Sequence, residues 1–147
     1  MTDRAHDLVP FEIGSYFFLV AVNNHRGGSH NIQSKVYRLH NGVFVEHDTL
    51  ETRGATMAQS FRIGTETFLA MANSYDDNNG SFATTSDIYL VDGPRFIPFQ
   101  EIPTEKAMYM YPFKLKTGCP ALAIANEAGK SKLYKWSSLT YRNTQCS

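Results

Sequence analysis

The chain has 147 residues, in which 14 Lys+Arg balance 14 Asp+Glu, and 13% of its residues are aromatic. This length suits one domain with a buried core, and the aromatic content excludes a disordered chain. A neutral chain has no general attraction to a phosphate backbone, so a nucleic-acid partner is not expected. No apolar run approaches the roughly 18 residues of a membrane-spanning helix, so membrane insertion is not expected either.

The predicted elements are short β-strands. In chain order, the first clear segments are Phe17–Asn23, Ser34–His40 and Val43–His47, which are rich in β-branched and aromatic residues and bounded by turn formers. Asn41-Gly42 and, later, Asp92-Gly93 predict tight hairpin turns, because these pairs accept the positive φ angles that such turns need. No segment shows a sustained helical period of apolar residues, so we expect an all-β chain.

Three sequence blocks recur at intervals of about 50 residues. The first is an apolar run that ends in asparagine, at Leu19–Asn23, Leu69–Asn73 and Leu122–Asn126. The second has a serine and a tyrosine three residues apart, at Ser34–Tyr37, Ser86–Tyr89 and Ser131–Tyr134. The third is Thr-x-x-Ala, at Thr2–Ala5, Thr52–Ala55 and Thr104–Ala107. We therefore predict a single domain, residues 1–147, of three repeats: about 11–60, 61–112, and 113–147 completed by residues 1–10.

The apolar runs favour one of two folds with this layout. A β-propeller has four-stranded blades of about 40–50 residues, and a β-trefoil also has three four-stranded repeats. The runs Leu69–Ala72 and Leu122–Ala125 are apolar at every position, which is typical of a strand covered on both faces. Blades of a propeller stack face to face, so we predict a β-propeller, with the β-trefoil as the alternative.

The series of blocks resembles the epilepsy-associated repeat, also called the EAR or EPTP repeat. The best copies combine Phe68–Asn73 with Ser86–Tyr89 and Phe99–Thr104, and Leu122–Asn126 with Lys132–Trp136. The resemblance implies a propeller in an extracellular or secreted protein that binds other proteins, although no signal peptide is visible in this chain. The chain differs from the family in having three repeats, and Ala55–Ala58 lacks the usual acidic and aromatic pair after the alanine.

The number of repeats predicts a homo-oligomer. Propellers usually need four to eight blades to close, and two chains with three repeats each would make a six-bladed ring. Twofold symmetry is the commonest closure for identical chains, so a dimer is expected. Because the third repeat stops before its Thr-x-x-Ala block, we expect the N-terminal strand, residues 1–11, to be exchanged between the two chains.

The sequence shows no arrangement that is typical of an enzyme or a metal site. No serine or cysteine has the surroundings of a nucleophile, and no glycine-rich phosphate loop occurs. His25 and His30 lack a nearby third ligand for zinc. Calcium at Asp76-Asp77 is a second interpretation of that loop, but the EF-hand spacing is absent and a solvated turn is favoured. We therefore expect a non-enzymatic protein with no catalytic residues, cofactor or metal.

The two cysteines, Cys119 and Cys146, are expected to be ordinary thiols, with one bridge as the alternative.

The candidate binding residues lie in the loops that follow the apolar runs. These loops, residues 24–33, 74–85 and 127–130, differ most between repeats, and variable loops on a rigid sheet scaffold are where binding usually resides. The candidates are Asn24, His25, Arg26, Tyr75, Asp76, Asp77, Asn78 and Glu127. The repeated asparagines are instead expected to bond backbone groups at strand ends.

The residue types in these loops led us to two hypotheses about the ligand. Sugars need hydrogen-bonding side chains beside an aromatic ring, and both occur here. Repetition would place several such sites on one chain and raise avidity for clustered glycans. The first hypothesis is therefore a multivalent carbohydrate-binding lectin whose partners are glycans or glycoproteins. The alternative is an extracellular protein–protein adhesion or recognition module.

Overall fold

In the computed structural model, which describes residues 4–137 and 140–142, the backbone forms three antiparallel four-stranded sheets. Each sheet is a meander of strands in chain order. The first contains β1 Ala5–Ile13, β2 Tyr16–Asn23, β3 Asn31–His40 and β4 Val43–Arg53; the second β5 Ala55–Ile63, β6 Glu66–Asn73, β7 Ala83–Asp92 and β8 Arg95–Glu105; the third β9 Ala107–Lys114, β10 Pro120–Asn126, β11 Lys132–Ser137 and β12 Thr140–Arg142. The all-β prediction is confirmed. No helix among these residues is long and apolar enough to cross a membrane.

The predicted hairpin turns connect the third and fourth strands of the first two sheets. Asn41 and Gly42 both have positive φ angles, 50° and 78°, as the tightest hairpin turns require. Gly93 also has a positive φ angle, and Asp92 pairs with Arg95 across that turn. Local turn chemistry thus places both hairpins where the sequence predicts them.

The sheets pack face to face through the apolar runs. Every residue from Phe68 to Asn73 on β6 is buried. Leu69 and Met71 join a core cluster with the first sheet, whereas Phe68 and Ala70 join a second cluster with the third sheet. The strand is therefore covered on both faces, as predicted. The β-trefoil alternative requires the strands to close into one barrel, and the described strands form three separate sheets instead.

One left-handed residue joins each sheet to the next. Gly54 lies between β4 and β5 with φ 58°, and Lys106 lies between β8 and β9 with φ 53°. A Cβ atom at Gly54 would lie 2.8 Å from Oγ of Ser74, so the position needs glycine for space as well as for its φ angle. Arg4, which precedes β1, has the same conformation at φ 41°.

The N-terminal strand, β1, belongs to the first sheet. β1 pairs with β2 from Ala5 opposite Asn23 to Ile13 opposite Tyr16. The third sheet has four strands of its own. Within the single chain, the described part of residues 1–10 therefore belongs to the first sheet, and residues 1–3 lie outside the described residues. Completion of the third repeat by a strand from a second chain stays a prediction. A short turn between β1 and β2 makes their local pairing cheap in loop entropy. Each sheet begins about six residues before the corresponding repeat in the sequence.

The repeated asparagine and serine are hydrogen-bonded in each repeat, and the repeated threonine joins them in the first two. In the second sheet, Nδ2 of Asn73 donates to the Thr85 carbonyl at 2.8 Å, and its Oδ1 accepts from the Arg53 amide at 3.1 Å. The Asn73 amide donates to Oγ of Ser86, which lies 2.9 Å from Oγ1 of Thr104. The amides of the two other asparagines make the same bond to serine, Asn23 to Ser34 and Asn126 to Ser131. The prediction that these asparagines bond backbone groups is confirmed.

The cysteine prediction is wrong for one residue. Cys119 is disulfide-bonded. Cys146 lies outside the described residues. Cys119 lies directly before β10, at the end of the segment that connects β9 to β10. This segment belongs to no strand, and a disulfide bond restricts its conformational freedom.

Candidate ligand-binding site

The variable loops meet at one end of the sheets, which we call the loop end. The second strand of each sheet ends there, so the loops between β2 and β3, β6 and β7, and β10 and β11 all leave the scaffold on the same side. These are residues 24–30, 74–82 and 127–131. The short two-residue turns lie at the opposite end, which we call the turn end.

Hydrogen bonds between the aspartates of the second loop and residues His30 and Asn31 join the first two loops into one surface. One carboxylate oxygen of Asp77 accepts from the backbone amides of His30 and Asn31, at 2.6 and 2.8 Å. The Asn31 side chain accepts from the Asp77 amide at 3.1 Å and donates to Asp76 at 2.8 Å. Loops from two different sheets therefore behave as a single preformed unit.

The same bonds explain why both aspartates stay charged. The Asn31 amide lowers the pKa of Asp77, and the Asn31 side chain followed by the Asn78 amide lowers the pKa of Asp76. Hydrogen bonds to a carboxylate favour its ionised form. Their oxygens thus hold the loops together, which is a structural role that the sequence did not indicate. Among the described residues, no group of three or more His, Cys, Asp or Glu side chains could hold a metal ion.

His25 and Asn24 extend this surface towards the second sheet. Nδ2 of Asn24 donates to the Ala55 carbonyl at 3.0 Å, and its Oδ1 lies 2.8 Å from Nδ1 of His25. The His25 and His30 rings are 5.5 Å apart. Partial burial, and then the nearby positive charge of Arg4, lower the pKa of His25. Asn24 is buried, and its side chain positions His25.

Aromatic rings form the centre of the loop end. The Tyr75 ring lies 4.6 Å from the ring of His30 and 5.4 Å from the ring of Phe82. Nζ of Lys106 lies 4.8 Å above the Phe82 ring and 2.7 Å from the Glu127 carboxylate. These groups border an open cavity of about 460 Å³, lined by His6, Asn24, His30, Thr56, Ser74, Tyr75, Phe82, Lys106 and Met108.

The structure thus brings the predicted residues to one end of the molecule, and their contact with a ligand stays a prediction. Tyr75 lines the cavity, and Glu127 reaches its edge through Lys106. Arg26 and Asn78 are exposed on the loops beside it. Phe82 and Lys106 were not predicted from the sequence, because Phe82 stands outside the apolar runs and Lys106 contacts it from the link between β8 and β9. An exposed phenylalanine directly after a polar turn was the available signal.

Asp77→Ala is expected to loosen the joined loops without unfolding the sheets. The amides of His30 and Asn31 would lose their shared acceptor, and their hydrogen exchange would accelerate while amides within β6 keep their protection. Residue-resolved hydrogen exchange measures this. Asn78→Ala, which removes an exposed side chain from the same loop, is the matched control, and equal acceleration in that variant would contradict the assigned role of Asp77.

A second cavity, of about 340 Å³, lies between the outer strands of the first two sheets. The Arg53 side chain lines this cavity, and its guanidinium nitrogens lie 4.0 Å from carboxylate oxygens of Asp87 and Glu101. Burial raises the pKa of Asp87 to about 6, although the Asn73 side chain donates to it at 2.8 Å. The first and third repeats have lysines, Lys35 and Lys132, at this position, so the buried aspartate is specific to the second sheet.

Comparisons with known proteins agree with the repeat pattern. A family model of the EPTP domain matches residues 43–90. Two proteins, each named thrombospondin-type laminin G domain and EAR repeat-containing protein, from Mus musculus and Homo sapiens, are 35% identical to this chain over 91 residues. The match covers 60% of this chain and 13% of each relative, so the chain spans a small part of their length.

Proposed function

Because this chain belongs to the family of proteins with EAR repeats, or EPTP domains, we propose that it is a non-enzymatic module that binds another extracellular protein at its loop end. The observation that carries the proposal is the aromatic centre of the loop end. Phe82 is 44% exposed although it lies between Tyr75 and the Lys106 side chain. Exposed aromatic side chains beside cations are typical of the residues that dominate protein interfaces.

The rigidity of the loops supports the same proposal. The bonds that Asp77 accepts hold the first two loops in place before any partner arrives. A preformed surface loses little conformational entropy on binding, which favours affinity. The contacts join two loops into one composite surface, and the third loop, Glu127–Ser131, contains no aromatic residue. This favours one contiguous binding surface over the separate sites per repeat that a multivalent lectin would use.

Two observations support an extracellular setting. Cys119 is disulfide-bonded, and disulfides persist mainly in oxidising compartments such as the cell exterior. The relatives carry names that refer to thrombospondin-type laminin G domains. We therefore propose a secreted or cell-surface location.

Carbohydrate, the ligand that the sequence first suggested, is the second candidate. The Tyr75 and Phe82 rings meet edge to face beside the His30 imidazole, so an apolar platform and a hydrogen-bonding group share the cavity. This combination also suits a sugar ring, which has one apolar face and a rim of hydroxyl groups.

A paired screen separates the two candidates. The full chain is tested against a panel of purified extracellular protein domains and, in parallel, against a glycan array. We expect saturable binding to a protein domain, weakened about tenfold or more by Phe82→Ala, since residues of this kind carry most of the binding energy. Val43→Ala is the matched control, because Val43 is 62% exposed but lies at the turn end.

Three outcomes would change this conclusion. Glycan binding that soluble sugar inhibits and that Phe82→Ala abolishes would replace the protein partner with carbohydrate. Equal weakening by Val43→Ala would place the site away from the loop end. The absence of saturable binding in both screens would overturn the proposal.

A further inference from the structure

Apolar side chains are exposed on the two outermost sheet faces of the described chain. On the first sheet, the face turned away from the second sheet carries Leu8, Leu39 and Phe44, each more than 40% exposed. We call these three residues the leading face. On the third sheet, the face turned away from the second sheet carries four more exposed residues, which we call the trailing face: Tyr109, Tyr111, Phe113 and Leu133.

The internal repeats show what covers the leading face elsewhere in the molecule. The residues that correspond to Leu8 and Phe44 in the second sheet are Ala58 and Phe96, which occupy the same places in the repeat. Both are buried in the core cluster between the first and second sheets. In the second sheet, the face that corresponds to the leading face is therefore covered by the first sheet.

The trailing face has buried counterparts in the same way. In the second sheet, the residues that correspond to Tyr109 and Leu133 are Met57 and Ile88, with relative exposures of 7% and 0%. Both belong to the cluster that packs against the third sheet. On the same face, β10 lies between β9 and β11 and carries small residues, such as Ala123 between Tyr111 and Leu133. These small residues leave room for side chains of an opposing sheet.

We propose that the trailing face of one copy of this chain packs on the leading face of a second copy. The occupant is a second copy because this chain carries both halves of a contact that it already makes twice internally, once between the first and second sheets and once between the second and third. All seven residues of the two faces are apolar or aromatic. The contact is head to tail, and two such contacts between two copies close a ring of six sheets, within the four to eight of known propellers. It needs no exchange of the N-terminal strand, and it is independent of what the loop end binds.

Two single substitutions test the head-to-tail geometry. Phe44→Asp places a charge on the leading face, and Tyr111→Asp places one on the trailing face. Both positions are exposed within the chain, at 42% and 61%, so each variant keeps its own three sheets. Analytical ultracentrifugation of the unmodified chain is expected to give a particle of twice 16.6 kDa. Each variant alone is expected to sediment at 16.6 kDa, with a dissociation constant raised about a hundredfold or more by the buried unpaired charge.

Mixing the two variants gives the decisive result. Each retains one intact face, and these faces are complementary, so an equimolar mixture is expected to form a heterodimer through a single contact. Val43→Asp is the matched control, since Val43 is exposed beside Phe44 but lies on the opposite face of the first sheet, and it should leave the dimer intact. A monomeric unmodified chain would overturn the proposal. So would a single variant that still dimerises alone, because that result indicates contact between identical faces, and so would equal disruption by Val43→Asp.

Discussion

Asn73→Ala is expected to lower the free energy of unfolding by about 3–5 kcal/mol, because it leaves several buried polar groups without partners. The Arg53 amide and the Thr85 carbonyl would each lose a hydrogen bond from this side chain. Asp87, which is also buried, would lose its neutral donor. Asn73 itself is completely buried, so water cannot replace these bonds without opening the space between the sheets. Urea unfolding monitored by circular dichroism measures the effect.

Two further variants serve as a control and as a comparison for Asn73→Ala. Asn78→Ala, at an exposed asparagine of the next loop, should change the free energy of unfolding by no more than about 0.5 kcal/mol. Asn126→Ala tests the corresponding network of the third sheet, in which the side chain bonds the Glu105 amide and the Lys130 carbonyl. A loss below about 1 kcal/mol for Asn73→Ala would show that the network does not join the sheets as described.

Asp87→Asn is expected to stabilise the protein near pH 7, by up to about 3 kcal/mol. Burial raises the pKa of Asp87 from 3.8 to about 6, so the folded chain binds this proton more tightly than the unfolded chain does. The charged carboxylate therefore opposes folding, and its cost appears as the pH rises from about 4 to 6. Asparagine removes that cost and can still accept the bond from Asn73. Below pH 4, where Asp87 is protonated in both states, the variant and the unmodified chain should have similar stability.

The measurement is urea unfolding of both proteins between about pH 3.5 and 7.5. Asp92→Asn is the control, since Asp92 is an exposed carboxylate at the turn end and reports the general effect of removing one negative charge. A variant that is less stable than the unmodified chain at pH 7 would contradict this account. It would mean that the attraction between Arg53 and the charged Asp87 outweighs the cost of burial.

The features that were predictable from the sequence are local or repeated. Asn41-Gly42 specifies its turn through its own φ angles, and the asparagine of each apolar run makes the same bond to its serine in all three sheets. The unbroken apolar character of β6 correctly indicated a strand between two neighbouring sheets. In each case the signal lies within one segment or recurs at a fixed place in the repeat, so one sequence is enough to read it.

The features that were missed depend on contacts between residues that are far apart in the chain. Asp77 and Asn31 are 46 residues apart, and neither residue recurs in the other repeats, so their joining of the loops has no sequence signature. Lys106 meets Phe82 because the link between β8 and β9 lies beside the second loop, a contact that no local sequence signal marks. The boundaries of the sheets are a third example, because a repeat can be divided at any point along its length and only the hydrogen bonds show which division the sheets use.

The central claim is that the two joined loops and the aromatic centre form the binding surface. Backbone amide chemical shifts of the isotopically labelled chain, followed as the ligand identified by the paired screen is added, test this directly. The account predicts the largest changes in residues 24–31, 74–82 and 105–108, with the turn end unaffected. Changes confined to the turn-end residues 41–42, 64–65 and 93–94, or to the outer strands around Arg53 and Asp87, would contradict it.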